Sequence, residues 1–299
     1  MMSHHPTQRD TLVVEQAHIL AHDAFDGAQY VLRVHAPQHA ALAQPGQFVH
    51  LQVAPRLPLR RPLSIMRASA RAGWMEFLYK AVGEGTRLLA ERQVGETLDM
   101  LGPVGKPFQV DQPRPVLIGG GVGMPPMIFL AESLRRSPQQ PLVILGSEVP
   151  FPFQARPSQI MIPGLPPEVI GAMPLLEDWG IASRLASLQA YPGCFQGYVT
   201  QLVQCWLDTL TPEQQQEVGL YACGPEPMLQ AVVKLAADYQ LPVQVSLEEY
   251  MACATGGCAG CAVPVHSHAG ITMQRVCVDG PVFDGYSIYP ELSQESPRV

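Results

Sequence analysis

Cys253, Cys258 and Cys261 lie within nine residues of one another in MACATGGCAGCAVP, and Cys277 follows after a gap of fifteen. The pattern is C-x4-C-x2-C with a distant fourth thiol, the order in which one small-residue loop and a following segment hold a 2Fe-2S cluster. Gly and Ala in the loop let the chain curl around inorganic sulfide and aim its amides there. Structural zinc is the competing chemistry. It draws on two close Cys or Cys/His pairs well separated in sequence, which the x4 step fits poorly. His266 and His268 sit between the third and fourth cysteines in an HSH tip that suits solvent better than ligation.

Other stretches suit phosphate and nucleotide chemistry. In PVLIGGGVGMPPMIFL an apolar strand ends in Gly119, Gly120, Gly121 and Gly123, and a helix begins near Pro125. Small residues there let the backbone approach a ligand, and the amides of a helix start favour a diphosphate. Proline in the first helical turn costs no hydrogen bond. The pattern departs from G-x-G-x-x-G, and the same glycines also serve a tight turn without a ligand. YACGPEPMLQAV repeats the arrangement with Cys223, Gly224 and Pro225 before a helix near Glu226. Cys223 there either faces a nicotinamide or fills a buried strand end, as free cysteine often does. Arg56, Arg60 and Arg61 in RLPLRRPLSI offer guanidinium groups for a cofactor phosphate, with Ser64 as a nearby hydroxyl, unless they form a solvated edge. In LYKAVGEGTRLL, Gly85 and Thr86 open a further helix. Glu148 ends the strand PLVILGSEV, where a ribose hydroxyl could lie, and does not decide between NAD and NADP.

These residues need rigid elements to hold them. From Thr11 to about Pro103, six short strand-like segments spaced by Gly, Pro and polar breaks predict an antiparallel β-barrel, interrupted by one helix in GTRLLAERQ. After the Pro-rich DQPRP, apolar strands alternate with helices, which predicts a parallel sheet covered by helices. The stretch from Pro150 to about Gly193 is broken by prolines and gives no clear pattern, and after Glu249 regular pattern yields to cysteine and glycine. The expected division is a flexible tail over 1–10, a barrel over 11–112, an α/β domain over 113–248 and a small cluster domain over 249–299.

Apolar residues make up 47% of the 299 and charged residues 15%, enough for buried cores. A net charge of −7 argues against a nucleic-acid partner. No apolar run of membrane length and no apolar signal core occurs, so a cytoplasmic protein without a membrane partner is expected. Clustered cysteines in that compartment are ligands or redox groups more often than disulfides.

In order, the motifs RRPLSI, LYKAVGEGTRLL, LGPVGKPF, GGGVGMPP, GYVTQLV, YACGPEPML, SLEEYMAC and RVCVDGPVFDG resemble the ferredoxin-NADP reductase superfamily. Within it, the chain resembles the electron-transfer subunits of heteromeric, NAD-dependent dihydroorotate dehydrogenases. The resemblance spans nearly everything after the first ten residues. It implies an FAD-binding barrel, an NAD-binding α/β domain and a C-terminal 2Fe-2S domain, in an oxidoreductase subunit of pyrimidine biosynthesis. Carried over by motif, Arg61, Pro62, Leu63 and Ser64, then Leu78, Tyr79 and Lys80, then Gly85 and Thr86 contact FAD. Gly119, Gly120, Gly121 and Gly123 with Cys223, Gly224 and Pro225 border NAD, and Cys253, Cys258, Cys261 and Cys277 hold the cluster. No catalytic acid or base is implied. The implied partner is an FMN-containing catalytic subunit that oxidises dihydroorotate, two copies of each subunit assembling. Relatives commonly have glycine after the first ligand, where this chain has Ala254. If that glycine serves a positive φ, alanine there is strained. Two other readings are a subunit of a sulfide dehydrogenase or ferredoxin-dependent transhydrogenase on the same scaffold, and a zinc-holding binding module.

Overall fold

The computed structural model of the chain describes residues 12–294. The expected tail over 1–10 lies outside them. Strands β1 (Val13–Phe25), β2 (Gln29–His35), β3 (Phe48–Gln52), β4 (Arg61–Ser69), β5 (Trp74–Lys80) and β6 (Thr97–Val104) close an antiparallel barrel in the order β1-β2-β5-β4-β3-β6. Alternation drives it: Ala17 and Ile19 of β1, Leu32 and Val34 of β2, and Met75 and Phe77 of β5 point inward to one apolar core. Register breaks between Ile19 and Ala21, Phe48 and His50, and Ile65 and Arg67 supply local bends. The helix expected in GTRLLAERQ is α2 (Glu84–Ala90), but it is not alone. A six-residue helix, α1 (Pro37–Leu42), joins β2 to β3 and starts on a proline, which suits a first turn.

The α/β unit contains β7 (Arg114–Gly120), α3 (Met124–Leu134), β8 (Leu142–Gly146), the two-residue strands β9 (Arg156–Pro157) and β10 (Gly171–Ala172), and α4 (Pro174–Asp178). It continues through β11 (Ala182–Ser187), β12 (Phe195–Gln196), α5 (Val199–Leu207), α6 (Pro212–Gln215), β13 (Val218–Cys223), α7 (Glu226–Asp238) and β14 (Val243–Ser246). Its central strands are buried on both faces, which explains their unbroken apolar runs. The last segment forms the hairpin β15 (Ala262–Ser267) and β16 (Gly270–Arg275), then β17 (Val282–Asp284), α8 (Gly285–Ile288) and α9 (Pro290–Gln294). β17 returns to the α/β sheet, whose order is β12-β11-β8-β7-β13-β14-β17, and pairs antiparallel with β14. The sheet is therefore parallel except at this edge.

Candidate functional site

A cleft of about 1130 Å³ opens where three parts of the chain meet. Arg61, Pro62, Leu63 and Ser64 of β4 form one wall, together with Leu78, Tyr79 and Lys80 of β5 and Thr86 of α2. Val122 of the glycine-rich turn reaches in from the α/β unit, and Glu248 to Ala252 with Gly260 close the third side. The three barrel segments singled out in the sequence thus share one wall, and the segment carrying the first three cysteines forms the wall facing it.

The polar groups of the barrel wall differ in availability. Arg60 is ion-paired with Asp99 and donates to the Asp99 carbonyl at 2.9 Å, so it serves the barrel. Arg56 is exposed. Arg61 and Lys80 have no carboxylate partner among the described residues. Gly85 lies so close beneath the Arg61 guanidinium that a Cβ there would overlap it, so the glycine admits the arginine to the start of α2. Two cations without counter-charges and a turn of minimal bulk fit an anionic diphosphate cofactor. Thr86 spends its hydroxyl on the turn, accepting from Val82 and Gly83 amides at 3.1 Å each. Tyr79 and Leu63 belong largely to the barrel core, Tyr79 stacked on Tyr30 at 5.3 Å between ring centroids.

The glycine-rich turn and the Cys223 turn meet at the carboxyl ends of β7 and β13. These strands are neighbours and mark the point where the sheet order reverses, a place suited to ligands in open α/β sheets. A Cβ on Gly123 would overlap the Cys223 carbonyl and the Gly224 amide, one on Gly120 would crowd Met228, and one on Gly119 would crowd Met124. Those three glycines are needed for packing. Gly121 (φ +56°) has open space around it and is the member free to face a ligand. Cys223 is fully buried, and burial together with the Glu248 carboxylate holds its thiol well above the ordinary range. Gly224, Pro225 and Glu226 border a second recess of about 420 Å³, which shares Glu226, Leu247, Glu248 and Glu249 with the main cleft. Glu148 lies exposed beyond the end of β8.

Two residues at the site were not singled out from sequence. Glu248 borders both cavities, and desolvation raises its carboxyl above the usual value. Its signal was the acidic pair closing a parallel strand beside β13. His50 is fully buried on β3 opposite Pro62 of β4, and neither ring nitrogen has a hydrogen-bond partner among the described residues. Burial, then the charge of Arg60, pushes its imidazole down to about 4, so it is neutral at neutral pH. A lone histidine in an apolar strand carries no sequence signal for this.

In the cysteine loop, Cys261 and Cys277 are buried, Cys253 is half-buried and Cys258 is exposed. The Thr255 and Cys258 amides each donate to Cys253 Sγ at 3.4 Å, and the Gly260 amide donates to Cys258 Sγ at 3.4 Å. Burial opposes ionisation of Cys253, but those donors outweigh it and bring the thiol down to about 6. Burial and contact with Cys261 push Cys277 up to about 12. Among the described residues no three His, Cys, Asp or Glu side chains converge to hold a single metal ion. Four thiols, with amides aimed at the sulfurs of Cys253 and Cys258, are the donor set an iron–sulfur cluster uses. Arg275 fastens the loop, bonding Asp279 at 3.2 Å and the Gly256 carbonyl at 3.3 Å. Ala254 (φ +55°) and Ala259 (φ +54°) are both left-handed, the first buried and the second exposed. The positive φ that glycine would serve is therefore present at Ala254.

Residues 11–108 match the family model described as the oxidoreductase FAD-binding domain. Residues 248–289 match the iron-sulfur cluster binding domain of dihydroorotate dehydrogenase B. The chain is 32% identical over 263 residues to the dihydroorotate dehydrogenase B (NAD(+)) electron transfer subunit of Desulforamulus reducens, covering 87% of this chain and 92% of that one. It is also 32% identical to the protein of the same name from Geobacillus sp. (strain WCH70), covering 90% and 96%. Among solved structures, an NADH-dependent reduced ferredoxin-NADP oxidoreductase shares the fold with a TM-score of 0.72 over 94% of each chain at 22% identity. A ferredoxin NADP+ reductase from Neisseria gonorrhoeae with bound FAD and NADP matches with a TM-score of 0.56 over 76% of this chain and 91% of that one at 18% identity.

Proposed function

The chain belongs to the family of dihydroorotate dehydrogenase B (NAD(+)) electron transfer subunits, and from that membership we propose a division of labour among its residues. It is an oxidoreductase subunit that passes electrons between NAD and a catalytic partner subunit, with FAD and an iron–sulfur cluster as its own cofactors. We assign the cluster the 2Fe-2S type, the partner an FMN and the oxidation of dihydroorotate, and the assembly two copies of each subunit. Among the described residues no helix is long and apolar enough to cross a membrane, and we place the protein in the cytoplasm.

When bound, FAD exchanges a hydride with NAD and single electrons with the cluster, which neither of those two can do alone. The chain supplies placement. Arg61 and Lys80 neutralise the FAD diphosphate beside Gly85, and Ser64 offers a hydroxyl along the same wall. The glycine-rich turn and the Gly224–Pro225 turn bring the dinucleotide to the side of that cleft where Val122 reaches in. Cys253, Cys258, Cys261 and Cys277 hold the cluster, with backbone amides supporting negative charge on sulfur. Cys258, the most exposed thiol, marks the side from which a partner approaches. No side chain needs to act as an acid or base.

The observation that carries this reading is the shared cleft, in which Arg61, Ser64 and Lys80 face Met251, Ala252 and Gly260 of the cluster-bearing segment. The test is the visible spectrum of protein purified without oxygen, with flavin and iron quantified, before and after NADH and then with the co-expressed partner and dihydroorotate. Flavin and iron–sulfide bands that bleach with NADH, and dihydroorotate-dependent NADH formation by the complex alone, are expected. Protein that binds zinc in place of iron, or whose flavin NADH leaves oxidised, would overturn the assignment.

A further inference from the structure

β4, which carries Arg61 to Ser64, is also tied at its other end to α3, the helix that leaves the glycine-rich turn. The tie is a ladder of arginines and tryptophans. The Arg67 guanidinium of β4 lies 5.1 Å from the ring of Trp74 on β5 and 5.1 Å from the ring of Trp179, which follows α4. Arg33 of β2 lies 4.7 Å from the Trp74 ring, and Arg135, just past α3, lies 5.0 Å from the Trp179 ring. Carboxylates from both units fix the central arginine. Glu132 of α3 accepts from Arg67 Nη2 at 2.8 Å and from Nε at 3.2 Å, and buried Glu76 of β5 accepts from Nη1 at 3.4 Å while also receiving Arg33. Coulombic attraction to Glu132 and Glu76 and the bonds they accept outweigh burial and raise the Arg67 pKa, so its charge is permanent.

Beside this tie the junction is mainly apolar, with Met66 and Leu78 of the barrel in one cluster with Met124, Met127 and Ile128 of α3, and the Gln29 side chain of β2 donates to the Pro150 carbonyl at 2.7 Å. Apolar contacts are non-directional and constrain the angle between the two bodies less than a fork of charged bonds does. A bidentate guanidinium fixes both distance and angle. We propose that Arg67 is a positioning residue for hydride transfer, setting the pose in which the nicotinamide carried by the α/β unit meets the flavin carried by the barrel. The proposal rests on the reading above, in which FAD and NAD occupy those two units. The lever is long. α3 runs about 12 Å from Met124, at the glycine-rich turn, to Glu132, so a tilt of about 5° at the Arg67 end displaces the turn by about 1 Å. A displacement of that size remote from the reacting atoms can cost about a hundredfold in rate.

The test uses the cofactor-loaded protein in anaerobic stopped flow, following flavin bleaching by NADH across a concentration series, with FAD and iron content and the dithionite-reduced cluster spectrum measured on the same samples. Arg67→Met is expected to lower the limiting rate by about tenfold or more while shifting the NADH dissociation constant by no more than about twofold. Arg67→Lys, which keeps a cation over the rings but loses the fork, should recover part of the rate. If Arg67→Met does not retain FAD, Glu132→Gln carries the same test, since it removes the α3 carboxylate and leaves Arg67 on Trp74 and Glu76. A limiting rate within about twofold of the wild type in a variant with full FAD and iron would overturn the positioning role and leave a stabilising contact only. Failure of NADH to bleach the wild-type flavin would instead overturn the function itself, and this proposal with it.

Discussion

Ala254 and Ala259 form a matched pair from which the cost of the cluster loop can be measured. Both are left-handed at nearly the same φ, but Ala254 is 2% exposed within the apolar core and Ala259 is open to solvent. Alanine in that conformation costs about 1–2 kcal/mol relative to a relaxed residue. Replacement by glycine removes this cost but returns about 0.4–1 kcal/mol through the greater freedom of the unfolded chain. At Ala259 the balance favours glycine by somewhat under 1 kcal/mol. At Ala254 the substitution also removes a buried methyl worth about 0.8 kcal/mol, which brings the balance near zero. The strain is therefore offset by burial, which explains how this chain accommodates a left-handed alanine at this position. The assay is the rate of loss of iron–sulfide absorbance in a fixed, subdenaturing urea concentration with an iron chelator, where loop opening limits release. Ala259→Gly should slow the loss by about fourfold relative to Ala254→Gly, the equivalent of one buried methyl. Equal slowing in both variants would show that the Ala254 methyl contributes nothing. Faster loss in both would show that neither alanine is strained.

Other consequences of the cleft are open to direct tests. Cys258→Ser should abolish the cluster absorbance and leave most of the FAD, because the wall proposed to hold the flavin belongs to β4, β5 and α2; equal loss of both cofactors would count against separate sites. Arg61→Gln should weaken FAD binding by about 10- to 100-fold in a fluorescence titration, the worth of a charge-assisted bond, and Gly85→Ala should act in the same direction by displacing the guanidinium. Unchanged affinity in both variants would remove Arg61 from the FAD site. His50 gives a pH signature. Its folded value of about 4 lies below the ordinary 6.5, so on acidification the unfolded chain takes up the proton first. Its contribution is complete above about pH 6.5 and falls by up to about 3 kcal/mol as the pH drops toward 4. The difference in thermal midpoint between wild type and His50→Leu should shift against the wild type through that interval, and parallel curves would refute it.

What was legible in the sequence follows from pattern length. Six barrel strands showed because each is a run of five or more residues bounded by Gly, Pro or polar breaks, and the four cysteines proposed as ligands stood out because thiols at fixed spacing are rare. α1 is only six residues long and β17 only three, too short for any period to register. The silence between Pro150 and Gly193 has a specific cause. Much of that stretch is held by one buried arginine, Arg184, whose Nε donates to the Val169 carbonyl at 2.8 Å and whose Nη2 donates to that of Ile160 at 2.7 Å. Backbone satisfied by a distant side chain needs no local periodicity. His50 and Glu248 were missed for a related reason, since each matters through neighbours that only the fold supplies.

The change of texture at Glu249 marks a change of chemistry without a clean break in the fold. Ser246, at the end of β14, pairs with Val282, at the start of β17, and the Leu247 amide donates to the Pro281 carbonyl at 2.9 Å. Everything between, including all four cysteines and the β15–β16 hairpin, is an excursion closed at its neck by adjacent strands of the α/β sheet. The Lys106 amide, just past the barrel, donates to the Gly280 carbonyl at 2.6 Å, which fixes the same neck to the flavin-binding unit. A loop closed by paired strands keeps its ends in place even when its interior loosens, because the closure bonds lie outside the part that opens. The cluster-bearing segment is thereby held at the flavin cleft by contacts that do not depend on the cluster. Removing a ligand should then release the metal while the neck, the sheet edge and the flavin wall persist.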